Sequence, residues 1–177
     1  MKTFFISLIS FAILFSCTDS QKKDKQSIKI KSNSTKTIKK IMNQENAVEI
    51  DKNGIANIII TSNDEMKFDV NKIKVKPGQK IKLTLKHTGQ LDKRIMGHNV
   101  VVLKNGVKLP DFAAQAAASA DNDYIPKGTT DVIAYTKMIG GGETTEIEFT
   151  APEAGTYDFI CSFPGHYALM RGKFIVQ

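Results

Sequence analysis

From Cys161 the chain reads Cys-Ser-Phe-Pro-Gly-His-Tyr-Ala-Leu-Met, which puts a thiol, an imidazole (His166) and a thioether (Met170) within ten residues. A second imidazole, His98, stands far upstream in Met96-Gly97-His98-Asn99. A thiolate gives copper a strong covalent bond, two imidazoles complete a trigonal set, and a distant thioether binds weakly along the axis. Such a set suits one-electron transfer, provided a rigid scaffold holds it through both oxidation states. Each residue alone has a plainer reading. A buried Cys is usually a small hydrophobe, a His beside a strand is usually a satisfied structural group, and a Met at a strand edge is usually packing. Their joint occurrence points instead to a metal site.

The elements around these residues must position them. Cys161 closes a predicted strand, Thr156–Cys161, and Met170 precedes the last one, Lys173–Val176. His166 lies in the loop between, where Pro164 and Gly165 force a turn, so one loop can fold three donors around one ion. His98 opens a different predicted strand, His98–Leu103, and ties that loop to the sheet. Gly97 lets the backbone approach closely, so its carbonyl can face the metal from the opposite axial side. Asn99 can donate a hydrogen bond toward the cysteine sulfur. The third histidine, His87, lacks ligand neighbours in sequence and reads as structural or as support behind the ligands.

The surrounding pattern is β. Short apolar or alternating runs recur from Ile55 onward, at 55–60, 73–75, 81–85, 98–103, 143–150, 156–161 and 173–176. Pro77-Gly78, Asn105-Gly106, Gly140-Gly141-Gly142 and Pro152 punctuate them. Ile81-Leu83-Leu85 alternating with Lys82, Thr84 and Lys86 marks a strand with one wet face. Alanine-rich 110–120, with Asp111 near its start, predicts a helix. The fold class is therefore all-β, a Greek-key sandwich of seven to eight strands with one short helical insertion.

The N-terminus reads as an address. Lys2 precedes an apolar run over 4–15 that is too short to span a bilayer and ends in small Ser16. Leu14-Phe15-Ser16-Cys17 resembles a bacterial lipobox, which predicts a signal peptide at 1–16 and acylation of Cys17. Residues 17–54 then form a flexible polar tether, since their composition cannot bury enough apolar surface to offset ordering. Such a stretch spans about 33 Å root-mean-square, or about 125 Å fully extended. The domain proper runs from 55 to 177.

Charge supports this division. The net charge of the chain is +7. Residues 1–54 hold 10 Lys and 5 acids, whereas 55–177 hold 15 basic and 13 acidic residues. The excess thus lies in the tether, where it suits anionic lipid. No basic helix or aromatic-rich motif points to nucleic acid.

The ligand residues and their neighbours resemble those of the azurins, within the cupredoxin family. The resemblance covers 55–177 and is strongest in Met96-Gly97-His98-Asn99, in Tyr135-Thr136-Lys137-Met138-Ile139-Gly140 and from Cys161 to Gly172. Four residues between Cys and His, then three between His and Met, is the azurin loop. It implies one type 1 copper per chain, held by the Gly97 carbonyl, His98, Cys161, His166 and Met170, with Asn99 and Phe163 behind them. It also implies an apolar partner patch, where Leu91, Met96, Phe163, Pro164 and Gly165 stand. The chain departs from the family at three places. Ala56 and Gln79 stand where a disulfide is usual, Val100 replaces a buried Trp, and Tyr135 replaces a surface His.

The reading is a lipid-anchored, periplasm-facing electron carrier that meets c-type cytochromes or copper or haem reductases transiently. The alternative is a periplasmic copper-handling protein. That would favour a Met- or Cys-rich exchangeable site, and the six Met of this chain form no cluster. A copper enzyme would need further histidines beyond the three present.

Overall fold

A computed structural model describes residues 47–177. Cys17, the signal segment 1–16 and the tether up to residue 46 lie outside the described residues. Among the described residues ten strands form two sheets, β1 Val48–Ile50, β2 Ala56–Asn63, β3 Lys67–Phe68, β4 Lys72–Val75, β5 Lys80–His87, β6 Val101–Leu103, β7 Val132–Tyr135, β8 Thr144–Thr150, β9 Gly155–Ile160 and β10 Arg171–Val176. The first sheet runs β1-β2-β5-β8, with β3 pairing β2 beyond β1; the second runs β4-β10-β9-β6-β7. β2 with β5 and β4 with β10 are parallel pairs, so the chain crosses between sheets rather than meandering.

Alternation explains which face each strand buries. Ile58 and Ile60 of β2 and Ile81, Leu83 and Leu85 of β5 turn inward, while Lys80 and Lys86 stay exposed. They meet Phe159, Phe174 and Val176 of the opposite sheet in one core. A second cluster lies outside the second sheet. There the helix α2, Leu109–Ala117, lays Phe112 and Ala116 on Val101, Leu103 and Ile160. Pro110 sits in its first turn, where a missing N–H costs nothing. The other helix, α1 Lys93–Met96, is capped by the Asp92 carboxylate, which accepts from the Arg94 N–H. Among the described residues no helix is long and apolar enough to cross a membrane.

The structure differs from the sequence reading in four places. Val48–Ile50, placed in the tether, is a strand that pairs with Ala56–Ile58, so the folded part reaches back to that strand. Strands β3 and β7 are additional, being too short to show a period. The helix ends three residues earlier than Ala120, at Ala117. His98 does not open β6; it stands before it and forms an isolated bridge with Ile139. Where the disulfide is absent, Ala56 is fully buried, and the Gln79 amide donates to the Gly54 carbonyl at 3.2 Å.

A chain begun at Ile55 would lose β1 and the packing of Ala47 and Val48 on the core. Against the full chain, it is predicted to lose about 1–3 kcal/mol of stability in urea denaturation. Equal midpoints would place the domain start at Ile55 after all.

Candidate metal centre

Three buried side chains converge at one end of the sandwich. The ligand atoms of His98, Cys161 and His166 all lie within 4.8 Å of one another. Cys161 Sγ stands 3.9 Å from His98 Nδ1 and 3.7 Å from His166 Nδ1. The Gly97 carbonyl oxygen lies 3.8 Å from the same sulfur. Met170 is fully buried, and its main chain is tied to Cys161 and His166. Its carbonyl accepts the Cys161 N–H at 2.9 Å, and its N–H donates to the His166 carbonyl at 2.8 Å. Gly165, at φ 82°, makes the turn that delivers His166 into a short 3-10 turn, His166–Ala168.

Backbone hydrogen bonds fix the orientation of the His98 and His87 rings. His98 Nε2 lies 2.9 Å from the Asn63 carbonyl, which only accepts, so that nitrogen carries the proton and Nδ1 keeps its lone pair toward the site. The main chain of His98 is clamped by two 2.9 Å bonds with Ile139. His87 stacks on His98, with centroids 4.4 Å apart and planes at 20°. Its Nε2 lies 2.9 Å from the Met96 carbonyl and its Nδ1 accepts the Gly89 N–H at 3.0 Å, so both ring nitrogens are engaged. A Cβ at Gly97 would clash with the Lys93 carbonyl and come within 2.9 Å of Met138 Sδ. Only glycine allows the backbone to run this close.

Asn99 works differently from the sequence reading. Its side chain does not point its donor at sulfur; it donates to Ser162 Oγ at 2.8 Å and to the Asp123 carbonyl at 3.1 Å, and accepts the Ser162 N–H at 2.9 Å. It therefore pins the residue after Cys161. The bonds toward the sulfur come from the main-chain N–H groups of Asn99 and Phe163. Burial pushes the Cys161 thiol up to about 12, and those two N–H groups pull it partway back. Burial also lowers His98, against the pull of the Asn63 carbonyl, and drives His166 down to about 4, with the neighbouring His98 and His87 adding to the shift.

The proposed partner patch surrounds this end. Leu91, Pro164 and Gly165 are exposed, Met96 and Phe163 are half-buried, and His166 itself is only 4% exposed. Sequence reasoning missed Ile95 and Leu169, both more than 60% exposed beside Met96 and His166. It also missed Tyr124, whose ring meets Phe163 edge-on at 5.2 Å while Phe163 lies 4.6 Å from His166. Tyr124 reaches there through consecutive left-handed residues, φ 52° at Asp123 and 57° at Tyr124, which composition does not announce. Asn63 acts only through its carbonyl and left no signal in the sequence either.

Residues 55–177 match the family described as copper binding proteins, plastocyanin/azurin family. The chain belongs to that family. It is 42% identical over 119 residues to azurin of Alcaligenes faecalis, a match covering 65% of this chain and 93% of the relative. Outer membrane protein H.8 of Neisseria gonorrhoeae is 40% identical over 117 residues, 64% of this chain and 63% of its own. Among solved structures, auracyanin A, a blue copper protein from Chloroflexus aurantiacus, superposes with a TM-score of 0.62 at 34% identity, over 70% of this chain and all of that one. An azurin from Methylomonas sp. strain J gives 0.62 and 34%, over 68% and 97%. The family is one of copper-binding electron-transfer proteins, and the buried His98–Cys161–His166 donor set fits one type 1 copper in this chain.

Protonation opposes this arrangement. The folded value of His166 lies near 4 against an ordinary 6.5, so between those pH values the unfolded chain binds a proton that the native one refuses. Stability of the metal-free chain is predicted to fall as pH drops from 6.5 to 4, by about 3 kcal/mol from His166 and further from His98. Urea midpoints measured across that window test this; a flat profile would contradict the burial argument.

Proposed function

We propose that this chain is a one-electron carrier of the cell envelope, shuttling electrons between redox partners of a bacterial periplasm or membrane. The observation that carries the reading is the convergence of two imidazoles and one thiol, all buried, within 4.8 Å. Bound there, copper supplies a Cu(II)/Cu(I) couple. The chain's task is to hold the donors still: Asn63 and His87 fix His98, Asn99 and Ser162 fix the loop after Cys161, and Gly165 sets His166. We assign the Gly97 carbonyl and Met170 as the two further groups that would hold the copper. The carbonyl's 3.8 Å approach to Sγ and the burial of Met170 between its bonds to Cys161 and His166 support this.

His166 is the exit for the electron, because at 4% exposed, against none for His98, Cys161 and Met170, it is the donor nearest to solvent, and the apolar patch surrounds it. Small apolar contacts suit transient redox encounters, and c-type cytochromes or copper or haem reductases are the partners this surface fits. Carrier rather than enzyme is the reading because the chain has three histidines. Two face the metal site, and His87 has both ring nitrogens engaged. Export, acylation of Cys17 and a periplasm-facing membrane anchor follow from the N-terminal sequence. The similarity to a protein named for the outer membrane supports that placement.

Voltammetry tests the ligand set. Met170→Leu is predicted to keep copper and raise the reduction potential, since it removes a donor that favours Cu(II). An unchanged or lower potential would remove Met170 from the site. Cys161→Ser is predicted to lose the reversible wave and electron exchange with a reduced c-type cytochrome, and their retention would defeat the assignment of the thiolate.

A further inference from the structure

The near-neutral charge of the domain hides a strong division. In the parallel β4–β10 pair, Lys72 lies beside Lys173 and Lys74 beside Ile175. Ile73, Val75, Phe174 and Val176 alternate with them into the core, so Lys72, Lys74, Arg171 and Lys173 project from the outer face of the second sheet. Lys76 continues the row just past β4, and all five basic groups are exposed. The acid facing them is Asp158 on β9, which is bonded to Lys173 at 2.6 Å. Asp69, just before β4, is turned to the first sheet, where its carboxylate accepts the Thr61 N–H at 2.7 Å. Among the described residues Lys72, Lys74, Lys76 and Arg171 form no ion pair.

The arithmetic is one-sided. Residues 55–177 carry 15 basic and 13 acidic groups. This face takes five of the first and one of the second, a net of +4, and leaves 10 against 12, a net of −2, for the rest. Lysines on an edge strand also discourage unwanted strand pairing. That does not account for Arg171 and Lys173, because β10 lies between β4 and β9.

We propose that the β4–β10 face docks the domain on an anionic phospholipid surface. The face is an open sheet of separated point charges, which suits a plane of lipid phosphates. Its position agrees. The chain enters the sandwich through β1, which packs against β4, and residues 17–46 upstream hold eight Lys against three acids. The upstream sequence is thus basic in composition as well, which suits the same anionic lipid. The ligand loop, Cys161–Met170, sits at the end of the strands rather than on this face, so docking leaves the apolar patch open to partners. Each basic group brought to such a surface strengthens binding about five-fold, and salt reverses it. The proposal rests on the membrane attachment above only for bringing the face to the bilayer.

Lysine acetylation mapped by mass spectrometry tests it, with the full chain on vesicles of phosphatidylcholine alone or mixed with phosphatidylglycerol. Labelling of Lys72, Lys74 and Lys76 is predicted to drop about three-fold or more on the anionic vesicles and to recover in high salt, with Lys104 and Lys127 unchanged. Lys72→Glu with Lys74→Glu is predicted to abolish protection of Lys76 and Lys173. Equal labelling on the two vesicles, or protection that survives salt, overturns the proposal. Flotation scores attachment separately. Binding to anionic vesicles alone, with the face protected, would sink the lipid anchor and keep the docking face; no binding to anionic vesicles would sink both.

Discussion

The structure is organised around one unfavourable act, the burial of a thiol that must become an anion. Cys161 is fully buried, and without metal its proton stays on up to about pH 12. A cation must replace that proton for the thiolate to exist there, and copper binding releases it. The two N–H groups aimed at the sulfur and the two imidazoles beside it are arranged for the charged form. This pocket is therefore built for its metal-bound state, and its stability in the absence of metal depends on keeping His98 and His166 neutral.

Keeping the donors in place falls to residues that never touch the metal. The side chain of Asn99 links three stretches of chain, His98-Asn99, Asp123 and Ser162, that meet only in the folded state. Asn63, at the end of β2, accepts from His98, while His87, at the end of β5, stacks on it. Since β2 and β5 are neighbours in parallel, both supports arrive at the same end of one sheet. Among the described residues no buried side-chain nitrogen or oxygen lacks a partner, which is what rigidity of such a site requires. A firm cage needs little rearrangement between oxidation states, and this is where fold and electron transfer connect.

Much of this was legible before any coordinates. The Cys-x4-His loop is local, so Cys161 and His166 could be read from spacing alone, and His98 was marked by its Gly and Asn neighbours. Strands with a clear alternation, such as Ile81-Leu83-Leu85, were read correctly because one face is wet. What escaped was either too short or too distant to show. Val48–Ile50 and Lys67–Phe68 are strands only because β2 is there to pair with them. The Asn63 carbonyl, the Tyr124 ring and the real bonds of the Asn99 side chain depend on contacts across dozens of residues, which no local pattern encodes. The basic face likewise emerges only once β4 is laid beside β10.

Everything above turns on whether His98, Cys161 and His166 hold copper through a thiolate bond. Visible and EPR spectra of the full chain loaded with Cu(II), recorded before and after ascorbate, decide this. An intense blue band and a narrow copper hyperfine splitting, bleached by ascorbate and restored by oxidant, are the expected result. A pale solution with broad hyperfine splitting would mean that copper binds without the thiolate, and would overturn the ligand assignment.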